Sequence, residues 1–331
     1  MICSFQLVFP IESEGYEPIA DIEESVVQIC RNYFPAEQSD TLTDDVNGFK
    51  RRLQRARTKN DYVGYHKVLS EFNQLVAQSI SDGTIGAHLD SQHSVALSLV
   101  ERIINQTYSR TVSPSVALLK QYENGTDNVY GELLPRFAHD IFHATGLRAA
   151  HVFVDLGSGV GNVALQAALE AGCESWGIEQ MANPAGLAAA QLAEFEARVR
   201  RWGIAAGRVR LLHGDFLASA AIDDALRRAD VVLVNNQAFT PSLNDALLWK
   251  FLDLKEGTRI VSLKSFVPDK WEIKARTMSD VRNVLKVKRM FFGSGSVSWT
   301  DEGGDWFVHT KDSSRLKRFQ DREASTPDSL S

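Results

Sequence analysis

The stretch VFVDLGSGVGNV, residues 152–163, constrains the possible folds of this chain more than any other segment. An apolar, strand-like run ends in an acid, Asp155, and glycines follow at alternate positions, Gly157, Gly159 and Gly161. Glycine tolerates backbone conformations that other residues avoid, and it lets the backbone approach a ligand closely. A strand that runs through such a loop into a helix is typical of ligand-binding crevices in open α/β sheets.

After residue 150 the sequence alternates short apolar runs with helical stretches. The apolar runs are HVFVDLG, ESWGIEQ, VRLLHGD, VVLVNN and RIVSLKS, and then KVKRMFF and DWFVHTK with no helix between them. Such alternation predicts a parallel sheet covered on both faces. The last two runs predict an antiparallel hairpin at one edge. The expected fold class is therefore α/β, with a doubly wound, mostly parallel, seven-stranded sheet.

Residues 20–150 show a helical pattern instead, with apolar residues at helical spacing. We predict helices over residues 63–80, 91–106 and 133–146, and a later helix that begins at Asn183–Pro184 and ends at Gly203. The chain thus divides into a mainly helical N-terminal region, an α/β domain that includes a ligand-covering loop, and a charged, Ser/Thr/Pro-containing tail expected to be disordered. These three segments are residues 1–125, 126–314 and 315–331.

Composition excludes several classes of protein. The net charge of −6 over 331 residues argues against binding to nucleic acid through overall charge alone. Cys3, Cys30 and Cys173 have no metal-binding or CxxC spacing, so we expect reduced thiols in an intracellular protein. The apolar N-terminus has no basic flank and soon reaches Glu12, so neither a signal peptide nor a membrane span is expected.

The glycine spacing discriminates between two kinds of cofactor. Dinucleotide-binding loops have the pattern GxGxxG and hold a pyrophosphate at a helix N-terminus. Here the pattern is GxGxG, and Asp155 would place a carboxylate beside any phosphate. S-adenosylmethionine removes this conflict, since it carries an ammonium and a sulfonium and no phosphate. An NAD-dependent oxidoreductase is the disfavoured alternative.

Acids at the next two strand ends support this choice of cofactor. Glu179 follows Gly157 by 22 residues, a spacing that lets a carboxylate accept from both ribose hydroxyls. Asp215 and Phe216 end the third strand, where an acceptor and a ring can bracket an adenine. Each has an ordinary alternative: Asp155 as a helix cap, Glu179 as a surface charge, Phe216 as core. Their order at consecutive strand ends favours S-adenosylmethionine.

The fourth strand ends in VNNQAF, residues 234–239, where many methyltransferases face the transferred methyl group. The pair Asn235 and Asn236 cannot act as a strong base at neutral pH. It can hydrogen-bond the cofactor or the substrate, and Phe239 can form a wall of an acceptor channel.

Several motifs together give the chain a specific resemblance. They are YSRTVSPS, VYGELLPRF, VDLGSGVGNVALQAALEAG, GIEQM, GDF, VNNQAF, EGTRIVSLKSF and GSVSWT, and they span roughly residues 90–311. With these motifs the chain resembles the non-SET histone lysine methyltransferases, the disruptor-of-telomeric-silencing family. The resemblance implies a class I S-adenosylmethionine-dependent methyltransferase fold, preceded by a mainly helical N-terminal domain.

The resemblance also implies a site and a substrate. It implies binding of S-adenosylmethionine, and of the product S-adenosylhomocysteine, by Tyr130, Gly131, Glu132, Asp155, Gly157, Ser158, Gly159, Asn162, Glu179, Asp215, Phe216 and Asn235. It implies that Asn235, Phe239, Trp299 and Trp306 form the catalytic channel. The implied substrate is a lysine in the globular core of nucleosomal histone H3, at position 79, and the implied setting is chromatin silencing in the nucleus. For Tyr130 and Glu132, the start of a helix is the simpler alternative.

Two channel positions depart from the family pattern. Gln237 stands where an aromatic residue is usual, and Trp306 stands where a tyrosine is usual. These differences keep an alternative open: a nucleosome- or partner-binding module that retains the fold and has little or no turnover.

Basic residues concentrate in FKRRLQRARTK, which contains Lys50, Arg51, Arg52, Arg55, Arg57 and Lys59. On a helix, Arg51, Arg55 and Lys59 share one face, where they could contact DNA phosphates. A solvated face paired with nearby acids is the equal alternative. Arg276, in KARTMSD, could contact an acidic protein surface or simply decorate this one.

His139 and His143 lie four residues apart on a predicted helix. Neither an HExxH motif nor another Cys/His cluster accompanies them. We therefore expect a packed or surface pair and no metal.

Overall fold

The computed structural model describes residues 17–120 and 131–325, in two compact units that divide between Pro114 and Ser115. The predicted domain boundary, at residue 125, lies outside the described residues. No helix in the described part of the chain combines the length and apolarity needed to cross a bilayer.

The N-terminal unit is helical, as predicted. Its helices are α1 (Pro18–Tyr33), α2 (Ala36–Leu42), α3 (Phe49–Thr58), α4 (Tyr62–Ser81), α5 (Thr84–Asp90) and α6 (Leu97–Thr111). A core that includes Cys30, Leu53 and Phe72 joins α1, α3 and α4. The helix predicted over residues 91–106 begins later, at Leu97, because Ser91 is the C-cap of α5.

The second unit alternates strands and helices. Its elements are α7 (Pro135–Thr145), β1 (Val152–Leu156), α8 (Asn162–Glu170), β2 (Glu174–Glu179), α9 (Ala182–Trp202), β3 (Val209–His213), α10 (Ala220–Arg228), β4 (Val231–Val234), α11 (Pro241–Lys250), β5 (Arg259–Ser262), β6 (Leu285–Phe292), β7 (Gly304–Lys311) and α12 (Ser314–Ser325). Short 3₁₀ helices span Ser113–Lys120, Phe251–Asp253, Ala275–Thr277 and Val281–Val284.

Within the described residues, seven strands form one sheet in the order β3-β2-β1-β4-β5-β7-β6. Strands β1 to β5 are parallel, and β7 lies antiparallel between β5 and β6. This arrangement confirms the predicted class I methyltransferase sheet with its edge hairpin. Every residue of β1 and of β4 is buried, as expected for strands covered on both faces.

Apolar side chains fill both sides of the sheet. Ile222, Leu226 and Leu247 of α10 and α11 pack on one face, and Phe137 and Ile141 of α7 pack on the other. The strand order reverses between β1 and β4, so the loops after these two strands diverge. In open α/β sheets, ligands bind in the crevice at the carboxyl ends of the strands where this reversal occurs.

Two local expectations need correction. Residues 315–325 belong to α12 rather than to a disordered tail, and the remaining predicted tail, residues 326–331, lies outside the described residues. The guanidinium of Arg315 donates to the carbonyl of Leu285 at 2.9 Å, and the Asp312 carboxylate accepts from the N–H and the hydroxyl of Ser314. Helix α9 begins at Ala182, with Met181 as its N-cap, so Asn183–Pro184 lies inside the first turn instead of starting it. The predicted stops at Gly146 and Gly203 are confirmed, since both have positive φ values, 58° and 68°.

Candidate active site

A cavity of about 360 Å³ opens at the carboxyl ends of β1, β2 and β4. It gathers every predicted cofactor residue that the structure describes. These are Gly131, Glu132, Asp155, Gly157, Ser158, Gly159, Asn162, Glu179, Asp215, Phe216 and Asn235. Phe239 lines the same cavity, whereas Tyr130 lies outside the described residues. The lining also includes residues that the sequence did not single out, among them Leu133, Met181 and Leu243.

The glycine loop is held in a shape that other residues adopt with strain. Gly157, Gly159 and Gly161 have φ values of 85°, 54° and 89°. The backbone N–H groups of Gly157 and Ser158 both donate to the carbonyl of Ile178, which fixes the loop to β2. A Cβ atom at Gly161 would lie 2.6 Å from Leu211 Cδ1, so any other residue there would also have to displace the end of this side chain.

Glu179 bridges this loop and the end of β2. Its Oε2 accepts from the N–H of Gly159 at 2.9 Å, and its Oε1 accepts from the N–H of Met181 at 2.7 Å. Each carboxylate oxygen has a second lone pair. The carboxylate is thus held in a fixed position and can still accept hydrogen bonds from a ligand in the cavity.

Asp155 is the most perturbed acid in the cavity. It is 3% exposed, and burial, with a smaller contribution from the charge of Glu179, raises its pKa to about 8. Its carboxyl group makes no hydrogen bond or ion pair with any residue in the described ranges. A buried acid without a partner suits a cationic ligand, whose charge would compensate the ionised form.

Two aromatic rings close one side of the cavity. Phe216 stacks on Phe239 with ring centroids 6.2 Å apart and planes inclined by 30°. Phe216 is also part of the core, which confirms the ordinary alternative, while its contact with an adenine stays a prediction. The neighbouring Asp215 accepts from the N–H of Leu217 at 2.7 Å, which orders the turn after β3.

The two asparagines after β4 differ in the hydrogen bonds that their side-chain amides make. Asn236 uses its whole amide: it accepts from the N–H groups of Leu263 and Lys264 and donates to Asn244 and to the Lys264 carbonyl. Asn235 donates to the carbonyl of Gly131 at 3.1 Å, but its buried Oδ1 has no partner among the described residues. Asn236 therefore organises the loops, and Asn235 offers an acceptor at the cavity wall.

A second cavity has a volume of about 380 Å³. Gln237, Trp299 and Phe307 line it. A Cβ atom at Gly131 would lie 2.7 Å from Trp299 Cε3, so the indole rests against this glycine, which itself lines the first cavity. Backbone hydrogen bonds fix the contact, since the N–H of Ser298 donates to the Glu132 carbonyl at 2.9 Å and the Ser298 hydroxyl accepts from the Glu132 N–H.

A family model described as "Histone methylation protein DOT1" matches residues 108–311. The chain belongs to this family. This membership confirms the resemblance inferred from the sequence motifs.

Named relatives agree with the family. Three proteins called "Histone-lysine N-methyltransferase, H3 lysine-79 specific" come from Aspergillus fumigatus, Emericella nidulans and Chaetomium globosum. They are 53%, 51% and 48% identical to this chain over 317, 317 and 291 residues, or 96%, 96% and 88% of it. The matched regions make up 63%, 63% and 56% of those proteins, so the chain spans less than two thirds of their length.

Trp306 does not form a channel wall in this DOT1-family chain, contrary to expectation. Its side chain is 2% exposed, and its ring meets that of Phe137 edge-on, with centroids 5.6 Å apart. Successive strand residues point to opposite faces. On β7, the neighbour Phe307 therefore reaches the second cavity while Trp306 enters the core. Because Trp306 and Phe307 are adjacent in the run DWFVHTK, only one of these two side chains can face the cavity. The register of β7 in the sheet decides which one does.

The basic segment forms α3, and its charges fall into two groups. Lys50, Arg52 and Arg57 form ion pairs with Glu24, Glu71 and Glu23 respectively. Arg51, Arg55 and Lys59 are exposed and make no ion pair with the described acids. The alternative of a face paired with nearby acids is thus confirmed for Lys50, Arg52 and Arg57. Contact of the other three residues with DNA phosphates stays a prediction.

Proposed function

We propose that this chain is a histone lysine methyltransferase that uses S-adenosylmethionine and modifies lysine 79 of histone H3 on the nucleosome. The observation that carries the cofactor is Asp155, a buried acid at the point where the strand order reverses, with no partner among the described residues. The names of the relatives support the substrate.

The lining residues fit the parts of S-adenosylmethionine. Among the residues that line the cavity, Asp155 and Glu132 would hold the ammonium end, Glu179 would accept from the ribose hydroxyls, and Asp215 and Phe216 would hold the adenine. When bound, the cofactor supplies a methyl group on a positively charged sulfur. The rings of Phe216 and Phe239 and the fixed loop exclude water and hold this electrophile in one orientation.

The acceptor lysine enters through the second cavity, past Trp299 and Phe307. Its ammonium group would first lose a proton to solvent, and the bound cofactor would then supply its methyl group to the neutral amine. The Oδ1 of Asn235, which has no partner among the described residues, can accept a hydrogen bond from an N–H of the amine and thereby orient its lone pair. Catalysis then rests on positioning and desolvation rather than on a strong base.

Charged surfaces outside the cavity account for nucleosome binding. Arg51, Arg55 and Lys59 contact DNA phosphates, and Arg276, exposed in its loop, contacts an acidic histone surface. A nucleosomal substrate places the protein in the nucleus, with a role in chromatin regulation, silencing and the DNA-damage checkpoint.

The direct test compares intact nucleosomes with free H3 as acceptors of label from tritiated S-adenosylmethionine. We expect label on H3 in nucleosomes, little on free H3, and none with Gly159→Arg, which obstructs the loop. Gln237, in the wall of the second cavity, motivates the competing function of a binding module. Cofactor and nucleosome binding without transfer would establish that module and reject the enzyme.

A further inference from the structure

A cluster of metal-ligating side chains lies outside the cavity. His139 and His143 of α7 project toward Glu170, the last residue of α8. The available ligand atoms of the three side chains all lie within 4.8 Å of one another. We propose that these residues bind a divalent transition-metal ion, for which zinc is the appropriate probe, with further positions open to solvent.

The donor set is one that zinc prefers. Two imidazole nitrogens and a carboxylate oxygen bind zinc at about 2.0–2.2 Å, and tetrahedral geometry then places the ligand atoms about 3.3 Å apart. His139 Nδ1 lies 2.5 Å from Glu170 Oε1, and the two imidazole centroids are 4.4 Å apart. No two of the three ligand atoms are more than 4.8 Å apart, so shifts of about 1–2 Å would bring them to the spacing that zinc requires.

Neighbouring groups orient the ligands. Gln166 donates to the other oxygen of Glu170, Oε2, at 3.0 Å, and to the carbonyl of Pro135 at 2.8 Å. This glutamine therefore fixes the carboxylate and links the helices one turn before the cluster. Such outer contacts orient metal ligands and raise affinity.

The site would join two helices that begin at the first cavity. Helix α8 starts at Asn162, which lines that cavity, and α7 starts just after Leu133, which lines it too. The pairs Pro135 with Gln166 and His139 with Glu170 show that the two helices run in the same direction. A bound ion would thus link them two turns away from the cavity and stabilise the folded state.

The competing role for these residues is a simple hydrogen-bonded pair of His139 and Glu170, with His143 as a bystander. That role needs only two of the three side chains. The metal site needs His143, whose imidazole is exposed and makes no hydrogen bond with the described residues, so its removal separates the two roles.

The test measures zinc binding by isothermal titration calorimetry and by the zinc dependence of the melting temperature, with the intact chain. We expect one ion per chain and a melting temperature that rises to saturation. We expect His143→Ala to raise the dissociation constant at least about tenfold and to abolish the rise in melting temperature. Glu170→Gln, which preserves shape and removes charge, should do the same.

His66→Ala is the matched control, because His66 is an exposed helical histidine without a second histidine beside it in the described structure. It should leave zinc binding unchanged. Melting temperatures without zinc check that each variant is folded. Zinc affinity equal to that of the unmodified chain in His143→Ala, or no saturable binding at all, would overturn the proposal.

Discussion

Single residues at the crevice decide what can bind there, and Asp155 is the most informative of them. Its folded-state pKa of about 8 lies well above the ordinary 3.8. Between these values the folded protein retains a proton that the unfolded chain has lost. The free energy of unfolding without ligand therefore falls as the pH rises through this range.

A cationic ligand reverses this preference, because an adjacent ammonium stabilises the ionised carboxylate. We predict that binding of S-adenosylmethionine at pH 7 releases a proton. Calorimetry in buffers of different ionisation enthalpy measures that proton. Asp155→Asn should abolish the release, flatten the pH dependence of unfolding and weaken binding about 10- to 100-fold, since a charge-assisted hydrogen bond contributes about 1.5–3 kcal/mol. Proton uptake, or binding unaffected by the substitution, would contradict this role.

The two asparagines after β4 provide a second comparison. We predict that Asn235→Ala lowers the rate of methyl transfer about tenfold or more, with a smaller change in melting temperature, because it removes an acceptor at the cavity. Asn236→Ala should mainly lower stability, by about 1–3 kcal/mol, because it leaves the buried Leu263 N–H without an acceptor. Equal effects of both variants on rate and on stability would show that the distinction is wrong.

At the scale of elements, β7 presents neighbouring rings to opposite environments. We predict that Trp306→Ala destabilises the protein by about 3–5 kcal/mol, as expected for loss of a large buried ring. Trp306→Phe should retain most of the activity. Phe307→Ala should lower methyl transfer to nucleosomes more than it lowers the melting temperature. Chemical denaturation and initial rates on the three variants test this, and a rate loss confined to the Trp306 variants would restore the channel role.

The elements also show what the sequence could and could not predict. The alternation of strand and helix patterns predicts the sheet. The acids at the strand ends predict the cavity lining, because parallel strands bring their carboxyl ends to one edge. The sequence alone does not show which side chains of β7 face the core, because the pairing of β7 with β5 and β6 determines this. The channel role predicted for Trp306 was therefore wrong. The cluster with Glu170 was missed because its third member comes from another helix. Helix α12 was missed because charged composition alone was taken as a sign of disorder.

At the scale of the whole molecule, the net charge is −6, but α3 carries an exposed basic face. We predict that replacing Arg51, Arg55 and Lys59 with glutamine weakens nucleosome binding. The slope of log affinity against log salt should become less steep by about 3, close to 0.9 for each phosphate contact. Cofactor affinity should not change.

The matched control replaces Lys50, Arg52 and Arg57, the cations of the same helix that are paired with acids. These substitutions should change the salt slope less, because the ion pairs already neutralise the charges. Fluorescence anisotropy with labelled nucleosomes at several salt concentrations measures both triple variants. Identical slopes for the two would refute a specific phosphate-binding face.

The central claim, that the crevice transfers a methyl group to one histone lysine, is tested most directly by one comparison. Nucleosomes carrying H3 with lysine 79, or with arginine in its place, are incubated with the protein and labelled S-adenosylmethionine, and the modified site is mapped by mass spectrometry. Our account predicts methylation of lysine 79, loss of the signal in the arginine nucleosome, and strong reduction with Asp155→Asn. Equal labelling of both nucleosomes, or cofactor binding without any transfer, would contradict it.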